Sequence, residues 1–296
     1  MPRPPAGTDG GEPAGALVIG RAAPADWAVV TGWAADEGWN PGRSDAGAFF
    51  AQDPDGFFLG RLAGEPVSAV SVVRYDSGYA FLGCYLVRPD LRGHGLGLAT
   101  WTAGLAHAGG RVVGLDGVPG QQGNYRRSGF RLAHRSARFT GSPVPVTESP
   151  AGVVPLTGPD GAAAAAAYDR GCFPAGRRRF LDAWLTAEGH HALGRVVDGR
   201  LTGYGVIRPA RDGSRIGPLF ADTAEDAAAL FDALVAAPER PPGPVAVDVP
   251  LSHPAAVALA GARGLTPGFE TARMYTGPAR PVATERIFGI TTLELG

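Results

Sequence analysis

The chain has 296 residues, which is one large domain or two of ordinary size. With 45% hydrophobic residues and a formal net charge of −1, it can bury sizeable cores, and its charge favours neither nucleic acid nor an anionic membrane as a partner. No apolar run approaches a membrane span, and two cysteines, Cys84 and Cys172, make neither a disulfide framework nor a zinc pattern. The stretch 1–15 is rich in Pro and Gly and lacks an apolar signal-peptide core, so it is expected to be a loose tail on a cytoplasmic protein.

The first pass runs over 16–141. A short strand at 16–19 precedes a helix opened by Pro24-Ala25-Asp26, with Trp27, Val30 and Trp33 on one face. Glu37-Gly38-Trp39-Asn40-Pro41-Gly42 cannot continue that helix, and Ser44 can cap a second one through Phe49 and Phe50. Strands at 57–62 and 67–75 form a hairpin around Gly64-Glu65, and a further strand spans 79–87. After a glycine-rich turn, Leu98, Trp101 and Leu105 predict one buried helix face. A strand at 111–115, a short helix at 121–127 ended by Gly129 and a strand at 131–139 complete the pass. The segment 142–152 reads as a linker.

The turn is Arg92-Gly93-His94-Gly95-Leu96-Gly97, between a strand ending at Val87 and a helix start. Its glycines allow close backbone approach to a ligand, and the helix start offers unpaired N–H groups and a positive dipole end. That combination suits phosphate. It fits neither G-x-G-x-x-G nor the P-loop, which needs Gly-Lys-Ser/Thr. Arg-x-x-Gly-x-Gly directly after the strand resembles the coenzyme A pyrophosphate loop of the GCN5-related N-acetyltransferases (GNATs). Asn124-Tyr125-Arg126-Arg127-Ser128-Gly129-Phe130 is similar to that family's Asn-Tyr-x-x-x-Gly-Phe stretch.

A second pass covers 153–296: a strand at 153–156, helices at 162–170 and 177–187, and a hairpin of 192–197 and 201–207 around Asp198-Gly199. A strand at 215–220, a helix at 224–236, a strand at 245–249, a helix ending at Gly264, a strand at 269–275 and one more within 286–295 follow. Gly64 and Gly199, Gly129 and Gly264, and Arg138 and Arg273 keep a near-constant offset, which argues for a duplicated domain. The fold class is therefore α/β, two tandem GNAT folds, each a mixed, splayed sheet flanked by helices. In the second copy the loop reads Asp222-Thr223-Ala224-Glu225-Asp226-Ala227; its carboxylates repel a pyrophosphate, so that copy is expected to be degenerate. EGWNPG, GLDGV, DVP and the terminal ELG also look like the tandem subgroup.

The resemblance implies an acyl-CoA-dependent N-acyltransferase, with acetyl-CoA as co-substrate, a small-molecule amine or amino acid as acceptor and no metal. Backbone amides at Leu86 and Val87 would hold the pantetheine arm and thioester oxygen, and Arg92, Gly93, His94, Gly95, Leu96 and Gly97 the pyrophosphate. Tyr125 would protonate the leaving thiolate; a phenol is a suitable acid for that task. The family's strand glutamate, six residues ahead of the valine, is replaced here by Phe81. Glu37 is the next candidate base, with Trp39 stacking on the acceptor and Asp45 pairing with a cation. Asp116 and Asp248 end equivalent strands and either line the cleft or cap turns, while Tyr204 and Met274 are expected to face it. Cys84 invites a covalent route but reads better as a buried apolar thiol. His190-His191 lacks further ligands for a metal. The same loop would also serve an acyl-CoA sensor without turnover, O-acylation or decarboxylation. The protein is expected to be a monomer or homodimer.

Overall fold

A computed structural model describes residues 15–76, 78–238 and 240–296. The tail expected over 1–15 lies, apart from Gly15, outside the described residues. The first half contains β1 (Val18–Arg21), α1 (Trp27–Asp36), α2 (Asp45–Gln52), β2 (Phe57–Leu62), β3 (Glu65–Arg74), β4 (Tyr79–Val87), α3 (Leu96–Ala108), β5 (Val112–Gly117), α4 (Gln122–Arg127) and β6 (Arg131–Gly141). The second contains β7 (Val153–Pro155), α5 (Gly158–Asp169), α6 (Arg178–Trp184), β8 (His191–Val197), β9 (Arg200–Pro209), β10 (Ser214–Ala221), α7 (Ala224–Val235), β11 (Val245–Pro250), α8 (Pro254–Ala262), β12 (Thr266–Tyr275) and β13 (Ile287–Gly289).

The repeat is visible in turn chemistry. Leu62 pairs with Glu65 and Val197 with Arg200, so each hairpin turns on two residues. Those residues, Ala63-Gly64 and Asp198-Gly199, all have positive φ (48°, 89°, 50° and 74°). Two central residues at positive φ make the tight turn whose twist matches that of paired strands.

All strands join one sheet in the order β1-β2-β3-β4-β5-β12-β6-β11-β10-β9-β8-β7, with β13 on β10. The two halves have exchanged strands at its centre. β12 of the second half lies between β5 and β6, and β6 of the first lies between β12 and β11. Register places Arg273 opposite Asp116 and, related by the repeat, Arg138 opposite Asp248. Both pairs are buried and bidentate: Arg273 donates to Asp116 at 2.8 and 2.7 Å, and Arg138 to Asp248 at 2.8 and 3.1 Å. A slip of one residue would turn each guanidinium to the opposite face and strand a buried carboxylate, so these pairs lock the register.

Of the expected face of α3, Trp101 is buried and Leu105 partly buried, but Leu98 is not, and small residues make the contact with β3. The helix's buried face is Leu96, Gly97, Thr100, Trp101, Gly104 and Ala108, whereas Leu98 is 67% exposed. The cause is close approach: a Cβ on Gly104 would lie 2.5 Å from Val70 Cγ1.

Each half also opens its sheet. β4 and β5 pair in parallel only from Tyr79–Val112 to Leu82–Leu115, and β10 and β11 only from Ser214–Val245 to Ile216–Val247. Beyond those pairs the strands part. In the second half the gap is filled by β13, paired with Leu219 and Phe220 of β10, and by the Ile290 N–H bonded to Asp248 O at 2.9 Å. The expected strand within 286–295 is only this short piece. The chain then runs to the base of the first half's gap, where Glu294 O lies 1.9 Å from where a Cβ on Gly83 would be.

Candidate active site

The first half's gap leads into a groove of about 370 Å³ running from β4 to the start of α3. A bulge shapes its strand side: Ala69 pairs with Leu86 and Ser71 with Gly83, so Cys84 and Tyr85 together face Val70 alone. Cys84 takes φ 46° as a result. Leu86, Val87, Arg92, Gly93, Gly95, Leu96 and Gly97 all line this groove. His94 is not among the lining residues; it is exposed, with Nδ1 3.4 Å from Leu91 O.

The loop is shaped as an anion cradle. Gly93 and Gly95 sit at φ 88° and 78°, where a side chain is strained, and Gly95 caps α3 without any side-chain bond. The N–H groups of Gly93, His94 and Gly95 reach no backbone acceptor among the described residues. A Cβ on Gly97 would come within 2.6 Å of Tyr85 Oη and 2.8 Å of Val87 Cγ2, so only glycine lets the helix end approach β4 this closely. A bare, long helix start with free amides is a fit for phosphate oxygens. Arg92 Nε donates to Val87 O at 3.1 Å, and its Nη2 is paired with Glu37 Oε1 on the groove's rim.

Deeper in the gap lies a smaller pocket of about 60 Å³, bounded by Trp39, Cys84, Tyr85, Asp116, Tyr125 and Glu294 among others. Trp39, Tyr85, Val118 and Gln121 line both spaces, so groove and pocket are continuous. Tyr125 is positioned by the end of α4. Phe130 N–H bonds back to Tyr125 O at 3.0 Å across Gly129, at φ 89°, and the ring stacks on Trp101 at 5.4 Å and 17°. Burial, with the Tyr85 phenol alongside, holds Tyr125 above the ordinary tyrosine pKa, so it is a neutral donor throughout the physiological range.

Several expected acceptor residues lie elsewhere. Asp45 is buried on Arg208 at 2.8 Å and on the Gly42 N–H at 3.1 Å. The Tyr204 hydroxyl is buried on Asp169 at 2.5 Å. Asp248 is held between Arg138 and Arg215, which keep it far below the usual carboxylate range despite burial. Met274 is fully buried in the core around Trp101. Asp45 and Asp248 are taken by guanidiniums that reach them from the other half, Arg208 and Arg138, whereas Tyr204 is taken by Asp169 of its own half. Asp116 does reach the pocket, with both oxygens on Arg273. Burial pushes the Cys84 thiol upward, and the nearby Glu294 charge adds to the shift, so it is no thiolate nucleophile. Sequence reasoning passed over Tyr85, Gln121, Thr271 and Glu294 as pocket residues; the only signal for the last was the terminal ELG stretch.

The second half presents no such cradle. Thr223 caps α7 by accepting the Asp226 N–H at 3.1 Å, and Asp226 is bonded to Arg195 at 3.0 Å. His190, buried with its pKa pushed down to about 4 mainly by desolvation, contacts Trp184 O at 2.8 Å. Among the described residues no group of His, Cys, Asp or Glu is placed to hold a metal, and no helix is long and apolar enough to cross a membrane.

A parted mixed sheet built twice in one chain, with a phosphate cradle at the head of the helix that follows in the first copy, defines a tandem acyl-CoA transferase architecture. The GNAT acetyltransferase family model matches residues 21–130, and an acetyltransferase (GNAT) domain model matches residues 165–289. A holothin acyltransferase from Pseudoalteromonas sp. is 34% identical over 272 residues, covering 92% of each chain. Two solved structures share the fold. One, from Pyrococcus horikoshii and assigned to the acetyltransferases, is 21% identical with a TM-score of 0.78, covering 95% of this chain and 96% of that one. The other, a tandem GNAT protein from the clavulanic acid biosynthesis pathway, is 18% identical with a TM-score of 0.61, covering 89% of this chain and all (100%) of that one. The chain belongs to the GNAT acyltransferases, in their two-domain tandem form.

The cradle makes a direct prediction. In Gly95→Ala the loop must leave the left-handed region, which costs a non-glycine residue about 1–2 kcal/mol, and its amides lose alignment. Coenzyme A affinity, measured by isothermal titration calorimetry, is expected to fall about tenfold, which corresponds to about 1.4 kcal/mol, with the circular dichroism spectrum unchanged.

Proposed function

We propose that this protein transfers an acetyl group from acetyl-CoA to the amine of a small molecule, in one ternary complex held by its first half, in the cytoplasm. The observation that carries this reading is the continuous passage from the glycine cradle to the buried pocket, with Tyr125 lining the pocket. The free amides of Gly93 to Gly95 and the start of α3 suit the pyrophosphate. The bulge at Cys84 and Tyr85 leaves β4 amides facing the gap rather than β5, so they are available to the pantetheine arm and the thioester oxygen. Tyr125 supplies the proton for the departing thiolate. The protonated Cys84 argues against an acyl-cysteine intermediate.

The second half shapes the acceptor end. Phe269, Thr271, Leu293 and Glu294 come from it, and its Arg215 bonds to the carbonyl of Asn40, beside Trp39. A small-molecule acceptor also accords with the name of the holothin acyltransferase relative. Two buried free cysteines suit a reducing compartment.

The test is release of free coenzyme A thiol across a panel of primary amines. Turnover with intersecting initial-velocity lines is the expected result. Tight acetyl-CoA binding without product from any amine would favour the sensing module instead, and parallel lines would favour a covalent route.

A further inference from the structure

Two residues that line the inner pocket each carry a buried polar atom with no hydrogen-bond partner among the described residues: Glu294 Oε2 and Thr271 Oγ1. Leaving such a group unsatisfied is costly, the more so for a charge, so a ligand that supplies donors is favoured there. Both residues belong to the second half, yet both line a pocket of the first.

Glu294 is 3% exposed and held by its backbone. Its own N–H and that of Leu295 donate to Thr292 Oγ1 at 3.1 and 2.8 Å, and Gly83 leaves room for its carbonyl. Its other oxygen, Oε1, lies 3.5 Å from Arg215 Nη1, a guanidinium already committed to Asp248. The remaining charged groups around the pocket are paired. Asp116 is on Arg273, Asp248 on Arg138 and Arg215, and Asp45, behind Cys84, on Arg208. The Cys84 thiol and the Tyr85 and Tyr125 phenols are neutral. Of the two carboxylate residues that line this pocket, Asp116 and Glu294, only Glu294 keeps an oxygen, Oε2, that no described residue engages. On β4 itself, Phe81 is buried against the Arg273 guanidinium at 5.1 Å and contributes no base.

We propose that Glu294 Oε2 takes the proton from the acceptor's ammonium group while Thr271 Oγ1 holds the same nitrogen, and that the acceptor is a small primary amine on a compact apolar or aromatic body. This rests on the N-acyltransferase reading above. The body fits the walls formed by Trp39, Tyr85, Leu115, Phe269 and Leu293. Amino acids are disfavoured, because the guanidiniums that would greet their carboxylate, Arg215 and Arg273, already have carboxylate partners.

The proton balance closes. The ammonium gives one proton to Glu294, and the freed lone pair forms the N–C bond at the thioester carbonyl. The C–S bond breaks, the thiolate takes the Tyr125 proton, and the nitrogen's second proton restores Tyr125. The proton on Glu294 leaves to solvent as the net proton of the reaction.

The experiment is the pH dependence of kcat/KM for Glu294→Gln, using the amine that the wild type turns over fastest. The variant is expected to be about a hundredfold slower near neutrality and to recover tenfold per pH unit toward the amine's own pKa, because it accepts only the neutral amine. Acetyl-CoA affinity by calorimetry stays at the wild-type value, and Thr271→Val raises KM for the amine about tenfold with kcat held. Equal activity near neutrality, or a deficit independent of pH, overturns the assignment. If Glu294→Gln fails to fold, as loss of acetyl-CoA binding would report, the wild type decides. A rising limb that moves with the pKa of different amines overturns the proposal, and one that stays in place supports it. Absence of turnover in the wild type itself refutes the parent reading and this one with it, which distinguishes the two failures.

Discussion

Ending the chain after Gly141 is expected to yield a poorly soluble and inactive first half. In the intact protein β6 is hydrogen-bonded on one side to β11 and on the other to β12, both from the second half. Removing them leaves β6 without a partner and exposes the free edge of β5, an invitation to aggregate. Asp116 loses Arg273 and Arg138 loses Asp248; stripping one partner from a buried pair costs about 3–5 kcal/mol. That is comparable with the whole stability of a typical domain, about 5–15 kcal/mol. Phe49 also loses the Trp184 ring that stacks on it at 6.3 Å. Expression of residues 1–141, followed by fractionation and the thiol-release assay, checks this. A soluble fragment with full activity would show that the exchanged strands are dispensable.

In Tyr125→Phe, kcat is expected to fall about a hundredfold at neutral pH with acetyl-CoA affinity and melting temperature little changed. The separation follows from the environment of the ring. Its stacking on Trp101 and its edge contact with Phe130 at 6.4 Å involve carbon atoms that phenylalanine keeps, and its hydroxyl has no hydrogen bond among the described residues to lose. What disappears is the only proton the ring can offer to the thiolate. Since burial holds the phenol neutral, wild-type activity should show no loss on the alkaline side near the ordinary tyrosine pKa. Stopped assays of kcat with saturating acetyl-CoA measure both effects. Undiminished turnover in the variant would transfer the acid role to Tyr85, which lines the same pocket and the groove.

What could be read without coordinates was what the chain encodes locally. Glycines at positive φ mark the two hairpin turns, the cradle and the end of α4, because few other residues adopt those angles without strain. Their recurrence carried the duplication, and the alternation of strand and helix patterns carried the fold class. The carboxylates were less legible. Asp45, Asp116, Asp248 and Glu294 look alike in sequence; what separates them is whether guanidiniums from distant strands engage both oxygens or, as at Glu294, leave one without a partner. Leu98 misled for a related reason, since the α3 face is set by how closely β3 approaches Gly104 and not by where leucines recur.

By itself, then, the sequence determined the tandem GNAT identity, the cradle and the placement of Tyr125 just before a glycine stop, all consequences of short-range backbone geometry. Only the tertiary structure decided that β6 and β12 trade places, that β13 closes the second half's gap, and that Glu294 ends up under the first half's pocket. Those outcomes depend on contacts between residues far apart in the chain, more than a hundred positions for the exchanged strands, and the free energy of such contacts is set by burial and partner availability that no local pattern records.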